Sequence, residues 1–267
     1  MKPRVLNHTQ FPITSFTPYE RQEIEQSVTD RFETTVQRYP ERLAVNSRSS
    51  KLSYAALNRA ANSVAHAILE QRGRMEEPIG LLLEQEHQAI IAILGVLKAG
   101  RYYVPLDPSY PRDRLRSILW DCRLRLVITD HEHLHLAKRL VEGLGDGQCA
   151  ILRIDQLSRD DRSSTEDPGL VIAPDAIAAI FYTSGTTGRP KGVIQSHRNV
   201  LHRVMVETNY LHIGPEDRLS LLTSPSYSVS LRHLFGALLN GAAVCPFNVV
   251  DEGLIQLANW LSSERIS

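Results

Sequence analysis

The sequence predicts an α/β fold with mixed or largely parallel sheets flanked by helices. Three observations carry that reading. Short apolar runs alternate with stretches of helical periodicity along most of the chain. Ile79–Leu83 lacks the in–out alternation of a half-exposed strand, as strands buried on both faces do. The composition, 42% hydrophobic and 22% charged over 267 residues, is that of an ordinary globular chain and excludes disorder, collagen and coiled coil as the main state.

The elements follow in order. Thr17-Pro18-Tyr19-Glu20 reads as a helix start, with Thr17 as cap, Pro18 in the first turn and Glu20 completing a capping box. Val28, Phe32, Val36 and Tyr39 recur at helical spacing and predict a helix from about Ser27 that Pro40 ends. Leu43–Val45 is a short strand. A further helix starts at Ser53, with Leu57, Ala61, Val64, Ala65 and Ile68 on one face and Gly73 just past its end. After the strand Ile79–Leu83, His87–Lys98 reads as a helix closed by Gly100.

Tyr102–Leu106 is the next strand, Asp107–Pro111 a turn, and Leu115, Ile118 and Leu119 mark the helix after it. Leu124–Thr129 is a strand, with Asp130 capping a helix over about 131–142. The charged stretch Leu157–Pro168 reads as a loop. Ala176–Tyr182 is a strand that leads into a Gly/Thr-rich loop. A helix over about 196–208, a strand at Leu219–Thr223, a helix near 230–240 and a strand at Ala242–Pro246 continue the alternation. Leu254, Leu257, Ala258 and Leu261 predict a final amphipathic helix.

Charge and cysteines restrict function. Thirty basic residues balance thirty acidic ones, which gives no long-range field for nucleic acid or an anionic membrane. Cys122, Cys149 and Cys245 are far apart and fit a reducing compartment. The N-terminus lacks a signal-type apolar core, and the longest apolar stretches fall well short of the ~20 residues needed to span a bilayer. The expectation is a soluble, cytoplasmic chain with neither nucleic acid nor membrane as partner.

The richest chemistry lies in Thr183-Ser-Gly-Thr-Thr-Gly-Arg-Pro-Lys-Gly192, directly after a strand. Its glycines let backbone amides approach an anion, its hydroxyls add donors, and Lys191 and Arg189 can neutralise phosphate charge. It is not a Walker loop, because Pro190 stands where that pattern needs glycine, and no GxGxxG occurs. Composition alone also allows a plain surface loop.

Tyr182 to Gly192 closely resembles the phosphate loop of the acyl-adenylate-forming superfamily, in the form found in peptide-synthetase adenylation domains. Leu52-Ser-Tyr-Ala-Ala-Leu57 is similar to that family's first core motif. Leu97-Lys-Ala-Gly-Arg-Tyr-Tyr-Val-Pro-Leu-Asp-Pro-Ser-Tyr-Pro111 is similar to its second. The segment from Phe32 to Val45 and Ser196-His-Arg-Asn199 fit as well. The resemblance runs from about residue 20 to the end. It divides the chain into a segment 1–19 and a domain portion 20–267, the N-terminal part of the family's large subdomain.

The resemblance implies ATP-dependent activation of a carboxylic or amino acid as its acyl-adenylate, then transfer to a thiol of a carrier protein or CoA, with Mg²⁺ on the nucleotide. Thr183, Ser184, Gly185, Thr186, Thr187, Gly188 and Lys191 would hold the ATP phosphates. Tyr227-Ser-Val-Ser-Leu-Arg-His-Leu-Phe-Gly-Ala-Leu-Leu-Asn-Gly241 resembles the fourth core motif and makes Tyr227 and Ser228 substrate-binding candidates. Ser228 stands where the family places the Asp that pairs with an α-ammonium group, so an acid without a free α-amino group, or one with its amine elsewhere, is expected. The later motifs, with the catalytic Lys and the Mg²⁺ carboxylate, are expected beyond Ser267, and a downstream chain that carries them is one partner the resemblance implies. The 267 residues are therefore expected to be inactive alone and to carry no catalytic residue or metal ligand. The alternative is a nucleotide-binding or interaction module without turnover.

Two other patterns compete. His131-Glu132-His133-Leu134-His135 satisfies HExxH, but no third ligand motif follows, and solvated histidines at a helix start are the simpler reading. The arginines between Arg112 and Arg125 interleave with Asp113 and Asp121 and read as a solvated helix face. His197 can either approach the nucleotide or pack within the fold.

Overall fold

The computed structural model describes residues 16–142, 149–157, 165–183 and 190–267. In chain order its strands are β1 (Leu43–Asn46), β2 (Lys51–Ser53), β3 (Pro78–Leu82), β4 (Tyr102–Pro105), β5 (Leu126–Thr129), β6 (Ala150–Arg153), β7 (Ile177–Thr183), β8 (Lys191–Ser196), β9 (Arg218–Leu221) and β10 (Ala243–Pro246). Its helices are α1 (Val28–Arg38), α2 (Tyr54–Arg72), α3 (His87–Lys98), α4 (Arg112–Asp121), α5 (Leu134–Val141), α6 (His197–Leu211), α7 (Ser230–Leu238), α8 (Val249–Glu252) and α9 (Leu254–Ser263).

Among the described residues the strands form two sheets, ordered β2-β1-β10-β9 and β6-β5-β3-β4-β7-β8. All pairings are parallel except β1 with β2 and β7 with β8. The architecture is the expected α/β one, with mixed sheets flanked by helices. No helix among the described residues is long and apolar enough to cross a membrane.

Helices α2 and α3 lie between the sheets. α2 packs on β1 and β2, α3 on β3 and β4, and the two helices on each other. Every residue of α3 from Ala89 to Lys98 is buried, as the apolar run Ala89–Leu97 requires. Gly95 permits the close approach of α2. A Cβ there would lie 2.5 Å from Val64 Cβ and 2.9 Å from the Ala61 carbonyl. Lys98 ends this helix with its side chain 2% exposed and pairs with Glu33 of α1 and Asp167. On the other face of the six-stranded sheet, a second core gathers Leu115, Ile118 and Leu119 of α4 with Ala137 and Leu140 of α5.

The N-terminal expectation needs correction. Residues 16–20 are not helical, and the first helical element is a 3-10 turn at Arg21–Ile24. The Glu23 carboxylate accepts the Glu20 N–H at 2.6 Å, which starts the turn three residues later than Thr17 would. Tyr19 is held extended instead, 2% exposed, with its N–H donating to Asn209 Oδ1 at 2.8 Å. Three strands also escape sequence reading. β2 and β6 are too short for a period, and β8 has four exposed residues at its start. Pairing with β7, not local preference, makes β8 a strand. The final helix forms as expected, yet none of its residues is buried. Leu254 and Ile255 are exposed at 73% and 84%.

β8 runs straight into α6, where Ser196 Oγ caps the helix by accepting the Asn199 N–H. The next residue, His197, is buried, and its Nδ1 accepts the Val28 N–H at the start of α1, at 3.1 Å. Of the two roles open to it, packing is the one observed. Burial holds the imidazole neutral and pushes its pKa down to about 4.

Two predictions follow from this packing. Gly95→Ala is expected to cost about 1–3 kcal/mol by urea denaturation, through overpacking of α2 against α3. Adding Val64→Ala, which removes the clashing methyls, should return part of the loss. His197 is neutral when folded and takes up a proton more readily when unfolded, so its contribution is complete above about pH 6.5 and is lost as pH falls toward 4. The stability difference between wild type and His197→Gln should therefore shrink across that window; a difference constant from pH 7 to 4 would contradict the burial argument.

Candidate functional site

In parallel α/β sheets, ligands bind at the carboxyl ends of the strands, because the chain leaves the sheet there in loops of free polar groups. Here the carboxyl ends of both sheets open on one cleft of about 380 Å³. Its walls come from Leu83–Gln85 after β3, Asp107–Tyr110 after β4, Leu222–Ser224 and Tyr227 after β9, and Asn248, Val250 and Asp251 after β10.

Two side chains join the sheets at the floor. The buried Gln85 amide donates to the carbonyls of Leu221 and Phe247, the ends of β9 and β10. Asp107 Oδ2 accepts the Ser224 hydroxyl at 2.6 Å, while its Oδ1 accepts the N–H and hydroxyl of Ser109. Asp107 therefore clamps the β4 exit to the β9 exit and sets the height of the Tyr227 loop. Tyr110 lines the same cleft. Burial, followed by the neighbouring Tyr227 phenol, raises its pKa.

Tyr227, a substrate-binding candidate, is 56% exposed and stands on the cleft wall. Ser228 is exposed beside it, where the chain turns into α7, and is not among the lining residues. Glu84, Gln85 and Asp107 were not singled out from sequence. The available signal was polar residues placed immediately after apolar parallel strands.

The phosphate-loop candidates divide. Ser184, Gly185, Thr186, Thr187 and Gly188 lie outside the described residues. Thr183 and Lys191 are described, and they stand opposite each other in the β7–β8 register at the two ends of that loop. The Thr183 hydroxyl donates to the Lys191 carbonyl at 3.5 Å. Lys191 is exposed and forms no ion pair among the described residues, so its ammonium group is free for an anion. β7 is pinned one residue earlier. The Tyr182 hydroxyl donates to Asp121 at the end of α4 and touches Cys122 Sγ at 3.0 Å. Burial, reinforced by Asp121, raises the phenol pKa far above its ordinary value. Gly192, opposite Tyr182, leaves room for Ile180; a Cβ there would lie 3.0 Å from Ile180 Cγ2 and in ordinary contact with the Tyr182 ring.

The HExxH pattern does not form a zincin helix. α5 begins at Leu134, because Asp130 Oδ1 accepts both the N–H of His133 (2.9 Å) and its Nδ1–H (2.8 Å) and holds residues 131–133 in a turn. His131 and His135 are thus not one helical turn apart. Burial works against the Asp130 carboxylate, but these hydrogen bonds hold it below its ordinary range, and Asp130 in turn raises the His133 pKa.

Comparison with known proteins gives the family. The model of the AMP-binding enzyme family matches residues 32–265. Tyrocidine synthase 1 of Brevibacillus parabrevis is 35% identical over 219 residues, 82% of this chain and 20% of that protein. Surfactin synthase subunit 2 of Bacillus subtilis (strain 168) is 35% identical over 239 residues, 88% of this chain and 6% of that protein. The chain thus spans a fifth or less of the length of these relatives. Among solved structures, the nonribosomal peptide synthetase FmoA3 in its AMPPNP-bound form superposes with TM-score 0.80 at 27% identity, over 95% of this chain and 26% of that one. The Klebsiella oxytoca NpsA N-terminal subdomain, in complex with 3-hydroxybenzoyl-AMSN, shares the fold with TM-score 0.79 at 22% identity, over 93% of this chain and 61% of that one. With the β7–loop–β8 hairpin and the shared cleft, these matches make the chain a member of the AMP-binding enzyme family, similar to the N-terminal portion of nonribosomal-peptide-synthetase adenylation domains.

Proposed function

We propose that residues 20–267 form the nucleotide-phosphate side of a domain that activates a carboxylic acid as its acyl-adenylate, for transfer to a carrier-protein or CoA thiol. The observation that carries this is Lys191, exposed and without an ion pair among the described residues, across from Thr183 at the carboxyl end of β7. A phosphate chain laid over this hairpin would meet the Lys191 cation and the Thr183 hydroxyl, with loop amides and hydroxyls from Ser184 to Gly188. The Tyr182–Asp121 anchor keeps the strand below them from moving as charge builds on the leaving pyrophosphate. Mg²⁺, when bound with the nucleotide, neutralises phosphate charge.

The acid would lie in the cleft, against Tyr227 and below the Asp107–Ser224 clamp. Ser228 cannot offer an α-ammonium group the charge-assisted bond of a carboxylate. This supports an acid without a free α-amino group as substrate.

Lys191→Ala is expected to weaken ATP·Mg²⁺ binding about 10- to 100-fold, the weight of one charge-assisted hydrogen bond. Calorimetric titration checks it, and unchanged affinity would remove Lys191 from the site. For the substrate, an ATP–pyrophosphate exchange panel on a chain extended to the full adenylation-domain length of the relatives should favour acids without a free α-amino group. Ser228→Asp should move that preference toward α-amino acids. Best exchange with ordinary α-amino acids in the unsubstituted chain would refute the substrate reading.

A further inference from the structure

We propose that His133, Glu84 and Glu132 form a binding site for one divalent transition-metal ion of Zn²⁺ type where the exit loops of β3 and β5 meet. Sheet register brings the three together. Leu82 pairs with Thr129 across β3 and β5, and the Thr129 hydroxyl donates to the Leu82 carbonyl at 3.0 Å. Two residues further on, Glu84 therefore lies alongside 131–133. The imidazole nitrogen and the two carboxylate oxygens lie within 4.8 Å of one another, a spacing one ion can span.

The orientation of the imidazole is the second, independent observation. Asp130 accepts the Nδ1–H at 2.8 Å, which fixes the ring and leaves Nε2 facing the two glutamates. The His133 side chain is 10% exposed, and among the described residues Nε2 has no hydrogen-bond partner; Glu84 Oε1 stands 3.5 Å from it. A carboxylate that holds the far nitrogen of a histidine is the support that metal-bound imidazoles receive. A lone pair facing two carboxylates is repulsive unless a proton or a cation sits between them.

The topology points to the same place. The connection after β3 goes to α3, in the core between the sheets, whereas the connection after β5 goes to α5, in the core on the opposite face. Adjacent strands whose connections leave to opposite faces open a crevice at their carboxyl ends. The group occupies that crevice, and Glu84 also lines the cleft. One imidazole with two carboxylates suits Zn²⁺ better than Mg²⁺, which takes oxygen ligands and keeps its water. The ion would tie the β3 and β5 exits together at the edge of the cleft, a structural role with no bond made or broken. It does not use the His131–His135 pair.

The test is calorimetric titration of the intact chain with Zn²⁺, and separately with Mg²⁺, without nucleotide. One Zn²⁺ per chain is expected. His133→Asn and Glu132→Gln should each weaken it at least about 10-fold, and Asp130→Asn about 10- to 100-fold. The double variant His131→Asn/His135→Asn should bind as wild type. If His133→Asn fails to fold, shown by loss of its cooperative melt, the exposed Glu84→Gln and Glu132→Gln carry the test. Zn²⁺ affinity unchanged in these variants, affinity lost in the double variant, Mg²⁺ bound as tightly as Zn²⁺, or no binding below about 1 mM would each overturn the site; the last would mean that a proton fills the gap.

Discussion

Helix α3 has no solvent side, and the rest of the structure is arranged to satisfy that. A helical run that is apolar on every face must be covered in every direction. α2 covers one side, closely because residue 95 is glycine, and the six-stranded sheet covers another through β3 and β4. The same burial traps the Lys98 ammonium at the helix end, where an unpaired charge would be costly. Glu33 and Asp167, brought from α1 and from the segment before β7, answer it. One requirement of the core thus links three parts of the chain that are distant in sequence.

The second consequence is functional. With α3 between the sheets, the carboxyl ends of β3, β4, β9 and β10 converge on one cleft, and β7 ends beside β4 on the same edge. The cleft is held by polar bridges between sheets: Gln85 to Leu221 and Phe247, and Asp107 to Ser224. Buried bridges of this kind specify one alignment, since a shifted sheet would leave their partners unsatisfied. The β7–β8 hairpin depends on a different anchor, Tyr182 on Asp121, which ties it to the α4 side of the sheet.

Much of the fold was legible in the sequence. Helices α1, α2, α3, α4 and α6 carry their period locally, and α1, α2 and α6 also carry their caps: Ser27, Ser53 and Ser196 accept backbone N–H groups of the first turn. The buried parallel strands announce themselves as unbroken apolar runs. β8 was not legible, because Val193 and Ile194 are too short a β-branched run, between Gly192 and polar residues, to mark a strand until β7 lies beside it. The start at Tyr19 was misread because a contact with Asn209, 190 residues away, outweighs a plausible local cap.

The site divides the same way. A run of glycines, hydroxyls and a lysine after a strand is a local pattern, so the sequence by itself pointed to the family and to the proposed phosphate loop, with Thr183 and Lys191 at its ends. It also determined that Ser228 carries no charge. Only the tertiary structure decided that Lys191 is exposed, that Asp107 clamps the Tyr227 loop, and that His133 faces Glu84 and Glu132. The reason is physical. A phosphate loop is built from consecutive residues, whereas a cleft between sheets and a cluster at two strand ends exist only once register sets residues from distant segments side by side.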